Sequence, residues 1–136
     1  MKQLDLPFKI GMQYENWQFE LDTLDDRLGG YHNYKYVGKQ LNSFLNFTTH
    51  KTELIFNGDI LTAIIITIKH SDIYQLNSII QILALDASKE IIIDENSRKF
   101  KIWRVIYYTT FKANRKEIIV IYGKSRFVQK HLPLLL

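Results

Sequence analysis

Residues 52–69, TELIFNGDILTAIIITIK, decide how this chain is read. Two β-branched, apolar arms flank Asn57-Gly58, the dipeptide that best tolerates the positive φ angles of a tight hairpin turn. In the second arm Ile64, Ile65, Ile66 and Ile68 put apolar groups on both faces, which marks a central or doubly covered strand. These isoleucines are read as core, which leaves few apolar residues for chemistry. Residues 71–86 then follow a helical period, with Ile73, Leu76, Ile80 and Leu83 on one stripe and Ile79 widening it. Ser71 is the expected N-cap, and Asp72 suits the positive end of the helix dipole. The opposite face carries Gln75, Asn77, Ser78 and Gln81, polar and uncharged, a face suited to touching a partner.

On the N-terminal side, residues 14–22 alternate, with Trp17, Phe19 and Leu21 on one face and Asn16, Gln18 and Glu20 on the other. That is the period of a half-buried strand. Residues 25–30 read as an acidic turn ending in Gly29-Gly30, and residues 31–37 as a second, aromatic strand. Residues 40–47, QLNSFLNF, fit a short helix with Leu41, Phe44 and Leu45 inward. On the C-terminal side, residues 90–94 read as a strand, residues 99–111 as one long strand, and residues 116–122 as its return. In the long strand Phe100, Ile102, Ile106 and Tyr108 share a face. The final HLPLLL reads as an apolar tail docked on the domain or on a partner. The expected architecture is α+β in the order β-β-β-β-α-β-β-β: a curved, mainly antiparallel sheet of six to seven strands against one principal helix.

The chain has 136 residues, and its two prolines, Pro7 and Pro133, lie near the ends. With no linker or repeat between them, residues 1–136 are expected to form a single domain. A composition of 46% apolar and 24% charged residues suits a globular chain and not a disordered one. The absence of cysteine excludes disulfides, thiolate metal sites and thiol catalysis, and it fits a cytoplasmic protein. The N-terminus shows no signal-peptide pattern, and the apolar run at residues 60–68 is far short of the roughly 20 residues of a membrane span.

Charge is unevenly placed. Residues 1–86 hold 7 Lys/Arg and 10 Asp/Glu, a net of −3; residues 87–136 hold 11 and 4, a net of +7. Two candidate surfaces follow from this polarity. The first is a protein-binding face made of Glu20, Asp22, Asp25 and Asp26 with Tyr34 and Tyr36, acidic groups that attract a cationic partner beside tyrosines that supply contact area. The second is a nucleic-acid face of Lys99, Lys101, Trp103 and Arg104 extended by Lys112, Arg115 and Lys116, where an aromatic stacks a base and cations neutralise phosphates. Placing Lys99, Lys101 and Trp103 on one strand face makes the platform this needs.

Other chemistries find no pattern. His32, His50, His70 and His131 lack metal-ligand spacing, and the acidic cluster does not follow a calcium loop, so no metal or cofactor is expected. There is no Gly-x-Ser-x-Gly elbow and no Gly-x-Gly-x-x-Gly. Gly123-Lys124-Ser125 matches the end of a phosphate-binding loop, but Ile118 stands where the upstream glycine belongs, and no helix is expected to follow. No Asp or Glu is followed two residues later by Lys, as in many metal-dependent nucleases. The chain carries no family motif. In general profile it is similar to the small, Cys-free α+β immunity and inhibitor proteins that bacteria make against their own toxins. That profile implies a non-enzymatic, cytoplasmic module that occludes a partner's active site, a toxin domain for example, with nucleic-acid binding as the alternative.

Overall fold

A computed structural model describes residues 3–26 and 28–136. The chain is α+β: the described residues form ten strands and two α-helices, with eight of the strands in one sheet. The strands are β1 (Leu21–Leu24), β2 (His32–Tyr36), β3 (Ser43–Phe44), β4 (Phe47–Thr48), β5 (Lys51–Asn57) and β6 (Ile60–Ile68), then β7 (Lys89–Asp94), β8 (Ser97–Ile102), β9 (Val105–Lys112) and β10 (Glu117–Lys124). Helix α1 (Ile73–Asp86) lies between β6 and β7, and α2 (Ser125–Leu135) follows β10. The large sheet runs β1-β2-β5-β6-β10-β9-β8-β7, antiparallel at every step. β3 and β4 form a separate two-stranded hairpin.

The hairpin at residues 52–69 holds the centre. β5 and β6 turn at Gly58-Asp59, with Asn57 closing β5 opposite Ile60 and Gly58 at φ 61°, where a glycine meets no steric penalty. β6 has β5 on one side and β10 on the other, and its isoleucines divide between two cores. Ile64, Ile66 and Ile68 face the α1 side with Leu76, Ile79 and Leu83, while Ile65 faces the α2 side with Phe127, Val128 and Leu135. Both faces of the sheet are thus covered, which is why this strand tolerates apolar residues at successive positions. Gly123 faces Ala63 across β10 and β6, and a Cβ there would lie 2.7 Å from the Thr62 carbonyl oxygen and 2.8 Å from the Ala63 Cβ. The smallest side chains therefore set the closest approach just before α2 begins.

Several expectations change. Residues 14–20 are not a strand but two single 3₁₀ turns, Tyr14–Asn16 and Gln18–Glu20. Trp17 is buried against Phe8, with ring centroids 5.0 Å apart, whereas Phe19 is 93% exposed. Only Leu21 of the expected face enters β1. Residues 40–47 form the β3–β4 hairpin instead of a helix, with Leu45 and Asn46 both at positive φ, although Phe44 is buried and Leu41 and Leu45 half-buried as expected. The N-cap of α1 is Asp72, whose carboxylate accepts the Gln75 N–H while the Gln75 side chain accepts the Asp72 N–H. Ser71 lies buried, donating its hydroxyl to the Ile68 carbonyl.

The expected long strand at residues 99–111 is two strands, β8 and β9, folded at Trp103-Arg104, with Ile102 opposite Val105. Phe100, Ile102, Val105 and Tyr107 consequently share the α1 face, and Ile106 and Tyr108 turn to the α2 face. The C-terminal tail is the end of a helix: α2 buries Phe127, Val128, His131 and Leu135 and contains Pro133 in its last turn.

Candidate functional site

The acidic end of the sheet is largely occupied with its own structure. The Asp26 carboxylate accepts the backbone N–H groups of Leu28 (2.9 Å), Gly29 (3.1 Å), Gly30 (2.7 Å) and Tyr31 (3.3 Å), and the Asn33 side-chain amide. The hydrogen bond from Leu28, with those of Gly30, Tyr31 and Asn33, holds its carboxyl below the usual range. Glu20 accepts the Tyr36 hydroxyl at 2.8 Å. Tyr36 is only 4% exposed, its hydroxyl pushed up by burial and by the Glu20 bond, so it belongs to the core and offers no contact surface. Tyr34 is half-buried against Tyr14 and Phe56, at ring distances of 5.2 and 5.7 Å. Asp22, opposite Lys35 across β1 and β2, and Asp25 remain exposed. Arg27, inside the acidic turn, lies outside the described residues. Of the six residues of this face, Asp22 and Asp25 are therefore the acidic groups left to a partner, at a short sheet edge.

The basic face is divided. Lys99 and Lys101 stand opposite Tyr108 and Ile106, on the α2 side of the sheet. Trp103 sits in the β8–β9 turn at φ 57° and packs half-buried against the α1-side core, so it does not share their face. Arg104 lies over its ring, 5.3 Å from the centroid. Lys112, Arg115 and Lys116 occupy the β9–β10 turn, at the opposite end of the eight-residue strand β9, roughly 25 Å away at ~3.3 Å per residue. Lys112 faces Glu117 directly. The residues that do converge with Trp103 and Arg104 are Lys124, Ser125 and Arg126, which with Ile10, Gly11 and Val105 line a cleft of about 480 Å³ at the start of α2. Gly123-Lys124-Ser125 thus does open a helix, against expectation, but β10 passes into it without the intervening loop that wraps a phosphate.

The strand expected at residues 90–94 forms as β7; the feature missed in the sequence is its exposure. Lys89-Glu90-Ile91-Ile92-Ile93-Asp94 is exposed at every position, and it forms the outer edge of the sheet, paired among the described residues with β8 alone. Ile91, Ile92 and Ile93 are 43%, 66% and 47% exposed. Leu85, four residues ahead of β7 at the end of α1, is also exposed. A bulge at Ile92–Ile93 sets two residues of β7 against one of β8. The run of three isoleucines was the available signal: it sits within a strand but has no second apolar layer in sequence to cover it.

Among the described residues no group of three or more His, Asp or Glu comes together, and no helix is long and apolar enough to cross a membrane. No family model, curated protein or solved structure matches the chain.

Proposed function

We propose that this chain is a non-enzymatic protein-binding module whose working surface is the β7 edge. The observation that carries this is the edge itself: six residues with an unpaired row of backbone N–H and C=O groups, bearing three consecutive exposed isoleucines. Natural sheets guard such edges with charge, bulges, proline or a covering segment, because an open apolar edge recruits another strand; β7 has charges at Lys89, Glu90 and Asp94 and a bulge beside Ile92, yet leaves its three isoleucines exposed. A partner strand added there gains main-chain hydrogen bonds and buries isoleucine on both faces. The finer form of the reading is a cytoplasmic inhibitor of the immunity type that covers another protein's active site. The cysteine-free chain and its antiparallel sheet support that form by analogy.

The test is capture from a native lysate on the immobilised chain and on Ile92→Lys, a substitution at an exposed position. A stoichiometric partner held by the first and lost by the second is expected. A partner held equally by both removes the edge from the reading, and no partner on either discards a foreign protein as the occupant of that edge.

A second reading is nucleic-acid binding at the α2 cleft, favoured by the convergence of Arg104, Lys124 and Arg126 beside Trp103. It predicts binding that weakens steeply with salt and a salt slope reduced by about one for each of Arg104→Ala and Arg126→Ala. Binding unchanged in both variants, or absent at low salt, excludes that cleft.

A further inference from the structure

We infer that the β7 edge is closed in solution by a second copy of this chain, the two β7 strands pairing antiparallel about a two-fold axis perpendicular to the sheet. The inference rests on the protein-binding reading of that edge and names its partner. It starts from the register within one chain. Lys89 faces Lys101, Glu90 faces Phe100, Ile91 faces Lys99, Ile92 faces Arg98 and Asp94 faces Ser97, with Ile93 taken up by the bulge. Lys89, Ile91 and Asp94 therefore share the α2 face, and Glu90 and Ile92 share the α1 face.

Counting the bulge as one ladder position and centring the two-fold on Ile91 gives one consistent pairing. Ile91 meets Ile91 of the second copy, Glu90 meets Ile92, and Lys89 meets Asp94. Every pair lies on a common face, as an antiparallel ladder requires, and no like charges stand opposite each other. A parallel pairing would set Lys89 beside Lys89 and Asp94 beside Asp94.

A second observation points the same way. Within one chain Lys89 stands directly opposite Lys101, a like-charge pair that destabilises the β7–β8 ladder. Asp94 of the second copy would arrive on the other side of Lys89 and offset that repulsion. The self-paired sheet also stops growing. Its remaining edges are the two copies of β1, each four residues long with Asp22 and Thr23 exposed, a poor template for a further strand. The result is a closed dimer in which two eight-stranded sheets become one.

The experiment is sedimentation equilibrium of the full chain and three variants, with circular dichroism to verify folding. The wild type is expected at twice the 16.1 kDa of one chain, and Ile92→Glu, which would stand opposite Glu90 of the second copy, at 16.1 kDa. Lys89→Glu and Asp94→Lys each place like charges across the two-fold and should weaken the dimer about tenfold or more. Their equimolar mixture should regain a dimer of wild-type strength. In the mixed dimer the glutamate introduced at position 89 meets the lysine introduced at position 94, while the unaltered Lys89 and Asp94 meet on the other side. Asp94→Lys also gives up the turn hydrogen bond from the Asn96 N–H, so its folding is the one to watch. Should Ile92→Glu or Asp94→Lys not fold, Lys89→Glu alone still decides, since weakening is expected only if this edge is the interface.

A wild type that stays at one chain mass at every concentration overturns the inference. So does a dimer that survives both Ile92→Glu and Lys89→Glu, or folded charge variants whose mixture stays monomeric. The failure of the second copy is separable from that of the edge reading. A monomeric chain that still loses a captured partner on Ile92→Lys keeps the edge and discards the second copy. A dimer that behaves as expected but captures no other protein keeps the second copy and discards a foreign partner.

Discussion

β1 and β7 bound the same sheet and are protected very differently. β1 is four residues long, and the turns before and after it are fastened from several directions. Trp17 is buried beside Phe8, Glu20 takes the Tyr36 hydroxyl, and Asp26 gathers four backbone N–H groups of the loop that follows. β7 is six residues long, exposed throughout, and joined to the rest of the sheet through β8. The β1 end uses its polar groups for structure and has little left for a partner. The β7 end leaves its backbone edge and three isoleucines unused, which is the condition for association.

The contrast is broken most sharply at Trp17. It is 6% exposed and packs in the aromatic group with Phe8 and Tyr36. Trp17→Ala should cost about 3–5 kcal/mol in urea unfolding, the range for removing a buried large aromatic. A cost below about 1 kcal/mol would show that the β1 end is no better anchored than the β7 end.

The next effect is at Gly38. A Cβ built there collides with the Tyr36 hydroxyl and the Glu20 carboxylate, the two partners of one hydrogen bond. Because Tyr36 is buried its ring cannot swing into solvent, so Gly38→Ala should cost about 1–3 kcal/mol, as overpacking does. A neutral result would mean that Glu20 and the Tyr36 ring both shift aside without loss. The pairing of Tyr36→Phe with Gly38→Ala tests this, since the second substitution should then cost less than it does alone.

Acid adds a smaller, signed effect. The Asp26 carboxyl is held below its ordinary value of 3.8 by the loop N–H groups. A carboxyl depressed in the folded state contributes its stability in full above the unfolded value and loses it as pH falls through the folded one. Thermal melts should therefore show the wild type losing stability below about pH 4 more steeply than Asp26→Asn. Parallel pH profiles for the two proteins would remove Asp26 from the fastening of the β1 end.

What can be read from sequence follows from which residues make the turns. Gly58 announces its hairpin because a glycine accepts positive φ readily, and the α1 stripe announces itself through Leu76, Ile79 and Leu83. The turn at Trp103-Arg104 is silent: a tryptophan at φ 57° stands where glycine is expected, so nothing in the alternation marks a stop. Its trace is a parity switch, with Phe100 and Ile102 on one face continuing at Val105 and Tyr107. Leu45-Asn46 hides the β3–β4 hairpin in the same way. The alternation across Trp17, Phe19 and Leu21 misleads in the opposite sense, since 3₁₀ turns bury the first and leave the second in solvent. Helix α2 does not announce itself: its apolar face of Phe127, Val128, His131 and Leu135 is short, and Pro133 disguises its last turn as a tail. Of the site, the charge polarity is visible in sequence, whereas its division between two sheet ends and the exposure of β7 depend on strand order, which local pattern does not encode.

The smallest effect on the folded chain belongs to the residue with the largest expected effect on association. Ile92 is 66% exposed, so Ile92→Glu removes little burial within one chain and should shift its unfolding free energy by no more than about 0.5 kcal/mol when measured in dilute solution. At higher concentration the two proteins should separate. A self-paired wild type is stabilised by mass action, so its melting temperature climbs with concentration, while the variant's stays flat. The β1 end offers the control: Asp22→Lys, also at an exposed edge position, should leave the concentration dependence as it is in the wild type. If Asp22→Lys flattens the curve and Ile92→Glu does not, the open and closed edges of this sheet have been assigned the wrong way round.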